Sequence, residues 1–261
     1  EKFPGAPRSQ VAICNHCLSR ELDSRIRTMA GRSYGQYCGL ARALDLVGER
    51  WALLLIRDLL VGPKRFTDLR RGLPKIPSNV LSTRLRELEE GGVVRRRPLP
   101  RPDSGVVYEL TDYGRALEDV VLRLGSWGAA HLADPRPGEV LTPDAMVIAL
   151  RAMFRPSAAT DLQAAFRFVL GPPDAPTVFF ARVEGAMLEA GPGPGPEADL
   201  VIVGGPDVRR LFAGEVSARE AIAAGLVHLD GPAPDPEALL TAFTVAFRLG
   251  DGVPAPEPVP A

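Results

Sequence analysis

The chain has 261 residues, 31 Lys and Arg against 32 Asp and Glu, three cysteines, and a hydrophobic share of 46%. That length suits two ordinary domains, each able to bury its own core. No run reaches the ~18 apolar residues of a membrane span, the first residues lack the apolar centre of a secretory signal, and three cysteines make no disulfide framework. The expectation is a cytoplasmic protein without a membrane contact. The near-zero net charge hides an asymmetry: residues 1–31 carry 5 basic against 3 acidic side chains, residues 32–132 carry 17 against 12, and residues 133–261 carry 9 against 17. A basic module that meets phosphates, joined to an acidic module that does not, would produce this pattern.

Residues 1–31 show neither helical nor strand periodicity and are expected to form an irregular extension, with Met29 a candidate start of the natural chain. Cys14-Asn15-His16-Cys17 has the spacing of half a zinc site, but no second CxxC or His pair follows, so no metal or other cofactor is expected.

Regular patterning starts at Tyr37. Leu40, Ala43, Leu44 and Val47 recur at helical spacing before Gly48. Trp51, Leu54, Leu55, Asp58 and Leu59 mark a second helix ended by Gly62-Pro63, and Phe66 with Leu69 a short third ended by Gly72. The turn LPKIP leads to Ser78, read as an N-cap, and to Leu81, Leu85 and Leu88, with Gly91-Gly92 as the stop. Winding this last segment at ~100° per residue puts Asn79, Thr83, Arg86 and Glu90 opposite the leucines, flanked by Ser82. Short polar side chains backed by an Arg suit base edges and phosphates in a major groove, although a plain solvated face carries the same residue types.

The next segment favours the groove. Val93-Val94 runs into Arg95-Arg96-Arg97, then PLPRPDSG, then Val106 to Leu110: two β-prone runs joined by a Pro, Asp and Gly turn. A ribbon carrying Arg95, Arg97 and Arg101 directly after such a helix is a wing. Thr111 is placed to cap a last helix, whose apolar stripe of Leu117, Val120, Val121, Leu124 and Trp127 suits a dimer contact as well as a core.

The run YCGLARALDLVGERWALLLIRDLLVGPKRFTDLRRGLP, then LSTRLRELEEGGVVRRR, YELTDYGRAL and Trp127-Gly128, resembles the HxlR family of bacterial winged-helix transcription regulators over residues 37–132. The resemblance implies a homodimer on an inverted-repeat operator in double-stranded DNA, built by the first and last helices, with repression as the commoner mode. It places Ser78, Asn79, Ser82, Thr83 and Arg86 on the recognition helix, Arg84 near a phosphate, Arg65 and Thr67 at the start of the preceding helix, and Arg95, Arg97 and Arg101 on the wing. The family usually has Pro after its N-terminal Cys, whereas Gly39 follows Cys38 here. Some members use this cysteine as a redox sensor, and Arg42, one turn away, would favour the thiolate. A small buried apolar role is the alternative.

The winged-helix domain is assigned to residues 32–134, followed by the linker DPRPGEV. Beyond it Met146, Val147, Leu150, Met153 and Phe154 suggest a helix, and Leu162–Val169, Thr177–Glu184 and Ala186–Glu189 suggest strands, the latter two meeting at Gly185. GPGPGP from Gly191 to Pro196 reads as a loop whose prolines lack the N–H groups a phosphate cradle needs. A strand in ADLVIVGG, helices over Pro206–Ala213 and Ser217–Ala224, a strand over Val227–Leu229 and a helix over Pro236–Leu249 complete an α+β order. With its Asp-led strand, helix ending in Ala-Gly and final helix, this order resembles the sterol carrier protein type two superfamily over residues 140–250. That resemblance implies a sheet covered by helices around an apolar tunnel, able to take a hydrophobic small-molecule effector. Candidate lining residues are Phe154, Phe166, Phe168, Phe180, Met187, Leu211, Phe212, Phe243 and Phe247, all equally explained by core packing. Residues 251–261 read as a disordered tail.

No enzyme is expected. His16, His131 and His228 lack a spaced carboxylate or nucleophile, Ser217 with Glu220 reads as a capping box, and Glu49 and Asp58 are expected to pair with arginines. Two other readings stay open: a helix-turn-helix that joins proteins rather than DNA, and a hydrophobic-ligand carrier or enzyme that uses the winged helix to dimerise.

Overall fold

The computed structural model describes residues 33–100, 102–129, 132 and 135–248. The extension with Cys14, His16 and Cys17, the wing residue Arg101, His131 and the tail from residue 251 lie outside them. No helix among the described residues is long and apolar enough to cross a membrane.

Apolar spacing sets the first four helices: α1 (Gly39–Val47), α2 (Ala52–Val61), α3 (Phe66–Gly72) and α4 (Ser78–Glu90). Leu55, Ile56, Leu59, Leu69, Leu81, Leu85 and Leu88 are buried together in one core. Each such side chain stabilises the fold by about 1.5–3 kcal/mol. α3 begins where the Asp68 carboxylate accepts from the Arg65 backbone N–H at 3.1 Å. α4 begins differently from the sequence reading: Pro77, not Ser78, is the N-cap, and no side chain caps the helix. Proline fixes φ near the value this entry needs, here −65°, so the turn is set without a hydroxyl. The Ser78 carbonyl instead accepts from Ser82 Oγ at 2.9 Å.

Strands β1 (Val94–Pro98) and β2 (Val106–Leu110) form the antiparallel wing, with Arg95 opposite Glu109 and Arg97 opposite Val107. Two backbone bonds, Lys64 N–H to Tyr108 O at 2.9 Å and Tyr108 N–H to Lys64 O at 2.8 Å, tie the ribbon to the segment before α3. The single helix expected after Thr111 is two, α5 (Asp112–Arg115) and α6 (Glu118–Ala129). Thr111 Oγ1 accepts from the Gly114 N–H and donates to Gly92 O at 2.6 Å, which pins the first turn to the base of the wing. Of the expected stripe only Val121 is buried; Val120, Leu124 and Trp127 are exposed.

Helix α7 (Pro143–Met153), capped by Thr142, packs on α2 and α6 on one side and on the C-terminal sheet on the other. Ile148 belongs to the winged-helix core, while Val147, Leu150 and Met153 belong to the second core. Polar contacts reinforce this seam. Lys64 Nζ lies 2.9 Å from Asp144 Oδ1, and Arg151 donates to Leu60 O and to Glu118, both at 3.1 Å.

The sheet contains β3 (Gln163–Leu170), β4 (Thr177–Glu184), β5 (Met187–Pro192), β6 (Leu200–Gly204) and β7 (Val227–Asp230) in the order β5-β4-β3-β6-β7, antiparallel except for β3 with β6. The loop expected at Gly191 begins two residues later, because Gly191 and Pro192 pair with Phe180 and Phe179 and extend β5. α8 (Val208–Phe212), α9 (Ala218–Ala223) and α10 (Pro236–Ala246) follow. The Ser217 and Glu220 capping box forms as expected, with bonds of 3.2 and 2.8 Å. α10 ends at Ala246, short of the expected Leu249, because Phe247 turns extended and bridges Phe154. Arg155 N–H donates to Ala246 O and Arg248 N–H to Met153 O, stitching the ends of α7 and α10 together.

Candidate nucleic-acid interface

The leucines of α4 decide which residues it presents. With Leu81, Leu85 and Leu88 buried, Ser78, Asn79, Ser82 and Arg86 are exposed and Thr83 is half-buried. Arg86 is only loosely held, its Nε 3.8 Å from Glu90 Oε1. Arg84, expected near a phosphate, lies instead under the helix: its side chain is 14% exposed and pairs with Glu49 at 2.8 Å and with Glu87. That ion pair ties α4 to the turn between α1 and α2 and leaves Arg84 committed to the protein.

Thr67 is exposed at the start of α3. Arg65 beside it donates to Ser104 O in the wing turn at 3.2 Å, so it braces the ribbon. On the wing, Arg95 and Arg97 donate through Nε to the two carboxylate oxygens of Glu109 at 2.8 and 2.9 Å. Arg96, with the opposite strand parity, pairs with Glu89 in the last turn of α4 at 2.9 Å and so joins wing to helix. Glu109 is buried, and the Arg97 and Arg95 guanidiniums hold its carboxyl below the usual range against the opposing effect of burial. Sequence reasoning missed Glu109. The signal available was its register opposite the arginine run, legible only once the strands are paired.

Cys38 is the exposed N-cap of α1. Its thiol is lowered from the ordinary value of 9.0 by the backbone N–H groups of Ala41 and Leu40, not by Arg42, which pairs with Asp45. In the other half, Phe166, Phe168, Leu211, Phe212, Phe243 and Phe247 do come together, with Phe243 stacked 4.3 Å from Phe247 and Phe168 stacked 4.7 Å from Phe179. Phe154 packs at their edge. Phe180 lies on the other face of β4, under the 193–196 turn, where a Cβ at Gly195 would overlap its ring. Arg167 holds that turn through Pro194 O and Pro196 O. Met187 is exposed. Among the described residues no group of three or more His, Cys, Asp or Glu side chains is placed to hold a metal ion.

A profile described as HxlR-like helix-turn-helix matches residues 46–135. The uncharacterized HTH-type transcriptional regulator YdeP of Bacillus subtilis is 40% identical over 94 residues, which is 36% of this chain and 73% of that protein. The chain belongs to the HxlR-like helix-turn-helix family. A second relative, the HTH-type transcriptional regulator YodB of Bacillus subtilis, is 40% identical over 85 residues, 33% of this chain and 76% of its own. The redox regulator HypR, solved in its oxidized form, is 36% identical, covers 37% of this chain and 99% of its own, and superposes with a TM-score of 0.35. The winged-helix half of this HxlR-like chain is thus a DNA-binding module of transcription regulation.

Proposed function

We propose that the chain is a homodimeric, sequence-specific transcription regulator that represses from an inverted-repeat operator. The observation that carries this reading is the exposed side of α4 beside the wing: Ser78, Asn79, Ser82 and Arg86 stand exposed on a helix whose other side is fixed by leucines, joined through Glu89 and Arg96 to a ribbon with Arg95 and Arg97. Ser, Asn and Arg side chains supply the donors and acceptors that base edges require, and the wing arginines supply phosphate contacts. The dimer is supported by exposed apolar side chains on two helices, Leu40 and Leu44 on α1 and Val120, Leu124 and Trp127 on α6. A two-fold pair buries such a patch on both copies at once.

The C-terminal half is read as a sterol-carrier-like sheet covered by helices that senses a hydrophobic small molecule. Its phenylalanine interior has the right chemistry, and an occupant would enter by parting the rings that pack on Phe243. Such a ligand shifts operator occupancy only if it binds the free and DNA-bound arrangements unequally. Cys38 adds a candidate redox input. Selection of bound sequences from a random DNA pool tests the central reading: an enriched inverted repeat is expected, and no enrichment would overturn it.

A further inference from the structure

Among the described residues only two charged side chains are classed with the buried core, Asp58 and Glu109. Glu109 lies within the arginine ribbon that faces the proposed DNA. It is directly opposite Arg95 in the β1–β2 register and diagonal to Arg97. Its side chain is 8% exposed, while Arg95 and Arg97 are 65% and 43% exposed. One carboxylate oxygen takes the Nε–H of Arg95 and the other the Nε–H of Arg97. Bonding through Nε leaves both terminal nitrogens of each guanidinium uncommitted to Glu109.

We propose that Glu109 is a positioning residue for DNA binding, which holds Arg95 and Arg97 at one fixed spacing so that their terminal nitrogens meet two phosphates already ordered. The proposal rests on the DNA-binding reading above. Its physical basis is entropic: arginine has many rotamers, and ordering such side chains at the moment of binding weakens association, whereas ordering them beforehand does not. Charge alone argues the reverse. A carboxylate beside phosphate repels it, and neutralising Glu109 raises the summed charge of Arg95, Arg97 and residue 109 from +1 to +2, so simple counterion release predicts tighter binding without it. The two accounts therefore differ in sign.

The test is Glu109→Gln, which keeps the shape, removes the charge, and replaces one bonded oxygen with an NH2 group that cannot accept from a guanidinium. Binding to the selected operator is expected to weaken on the order of ten-fold. The same change in a chain already carrying Arg95→Gln and Arg97→Gln is expected to have no further effect, a result that a merely structural role would not give. Equal or tighter binding by the single variant overturns the proposal. A second measurement uses the unaltered chain: the Nε–H protons of Arg95 and Arg97 should exchange with water more slowly than that of Arg86, whose nearest carboxylate oxygen is 3.8 Å away. Exchange as fast as that of Arg86 overturns the proposal even if the variant does not fold. If the unaltered chain selects no DNA sequence, the functional reading fails and this role fails with it. If it selects an operator and Glu109→Gln binds as well, only the role of Glu109 fails.

Discussion

Replacing Asp144 with Ala removes the more buried of two ion pairs, Lys64–Asp144 and Arg151–Glu118, that tie α7 to the winged-helix half. Asp144 and Lys64 are 2.9 Å apart with side chains each 13% exposed. At an effective dielectric of about 20 the gross attraction is about 6 kcal/mol, most of it offset by the desolvation of both groups. Removing one member of a buried pair commonly costs about 3–5 kcal/mol, and the residual exposure here, which lets water reach Lys64, places the loss near the lower bound. Asp144 also sits in the first turn of α7, where its charge complements the helix dipole by about 0.3–1 kcal/mol. The expected destabilisation is therefore about 3 kcal/mol, a fall of roughly 1 M in urea midpoint for a chain of this size. Both tryptophans, Trp51 and Trp127, lie in the winged-helix half, so their fluorescence follows that half while far-ultraviolet circular dichroism follows the whole. In the native chain the two signals should unfold together; in Asp144→Ala they should separate as the halves uncouple. Coincident transitions with a midpoint shift below 0.2 M (about 0.5 kcal/mol) would refute the reasoning, and a Lys64→Met double-mutant cycle would show whether the pair is responsible.

Other outcomes follow from the same geometry. Asp58 is fully buried, with Arg57 at 2.7 Å on one oxygen and no partner for the other, and burial raises its carboxyl above the ordinary 3.8. Because the folded state favours the protonated acid, the stability it contributes is present below about pH 4 and is lost as pH rises through the folded pKa. Asp58→Asn should flatten that acid-side slope in thermal melts, and an unchanged slope would mean that another group titrates there. Arg86→Ala should weaken operator binding by about 1–3 kcal/mol and relax its sequence preference, whereas Arg97→Ala should weaken binding to all sequences and reduce the salt slope by about one. In a Cys14→Ser, Cys17→Ser background, alkylation of Cys38 should follow a titration below 9.0 and should not change in Arg42→Ala, since backbone N–H groups lower the thiol; a shift caused by Arg42→Ala would reassign the cause.

Helices and several of their ends are legible where the determinant is local, although the entry to α4 is set by Pro77 and not by the Ser78 that the pattern suggests. The leucine spacing of α4, the stop at Gly48 and the Ser217 cap depend on residues within one or two turns. The sequence also implies that Glu49 and Asp58 pair with arginines, and the structure supplies the partners, Arg84 and Arg57. What escaped sequence reasoning depends on distant segments. Arg84 is drawn inward by Glu49, 35 residues away, and Arg95 and Arg97 meet Glu109 only because the ribbon closes in one register. The expected linker marks a change of composition, yet the packing continues across it, because α7 carries apolar residues on more than one side: Ile148 toward the winged helix, Val147 and Leu150 toward the sheet. Periodicity reports that a face is apolar but not which neighbour covers it.

The stitch between α7 and α10 sets an order of events during synthesis. The winged-helix partners of α7 leave the ribosome before it, whereas Ala246, Phe247 and Arg248, which lock its far end, come last among the described residues. At ribosomal speeds the interval between residues 153 and 247 is roughly 5–20 s. During that time Ile148 can seat on the finished DNA-binding half while Val147, Leu150 and Met153 still lack the sheet that covers them. The C-terminal half is thus completed on a helix already docked to the winged-helix half, so newly made chains have their DNA-binding surface formed before the C-terminal sheet is closed.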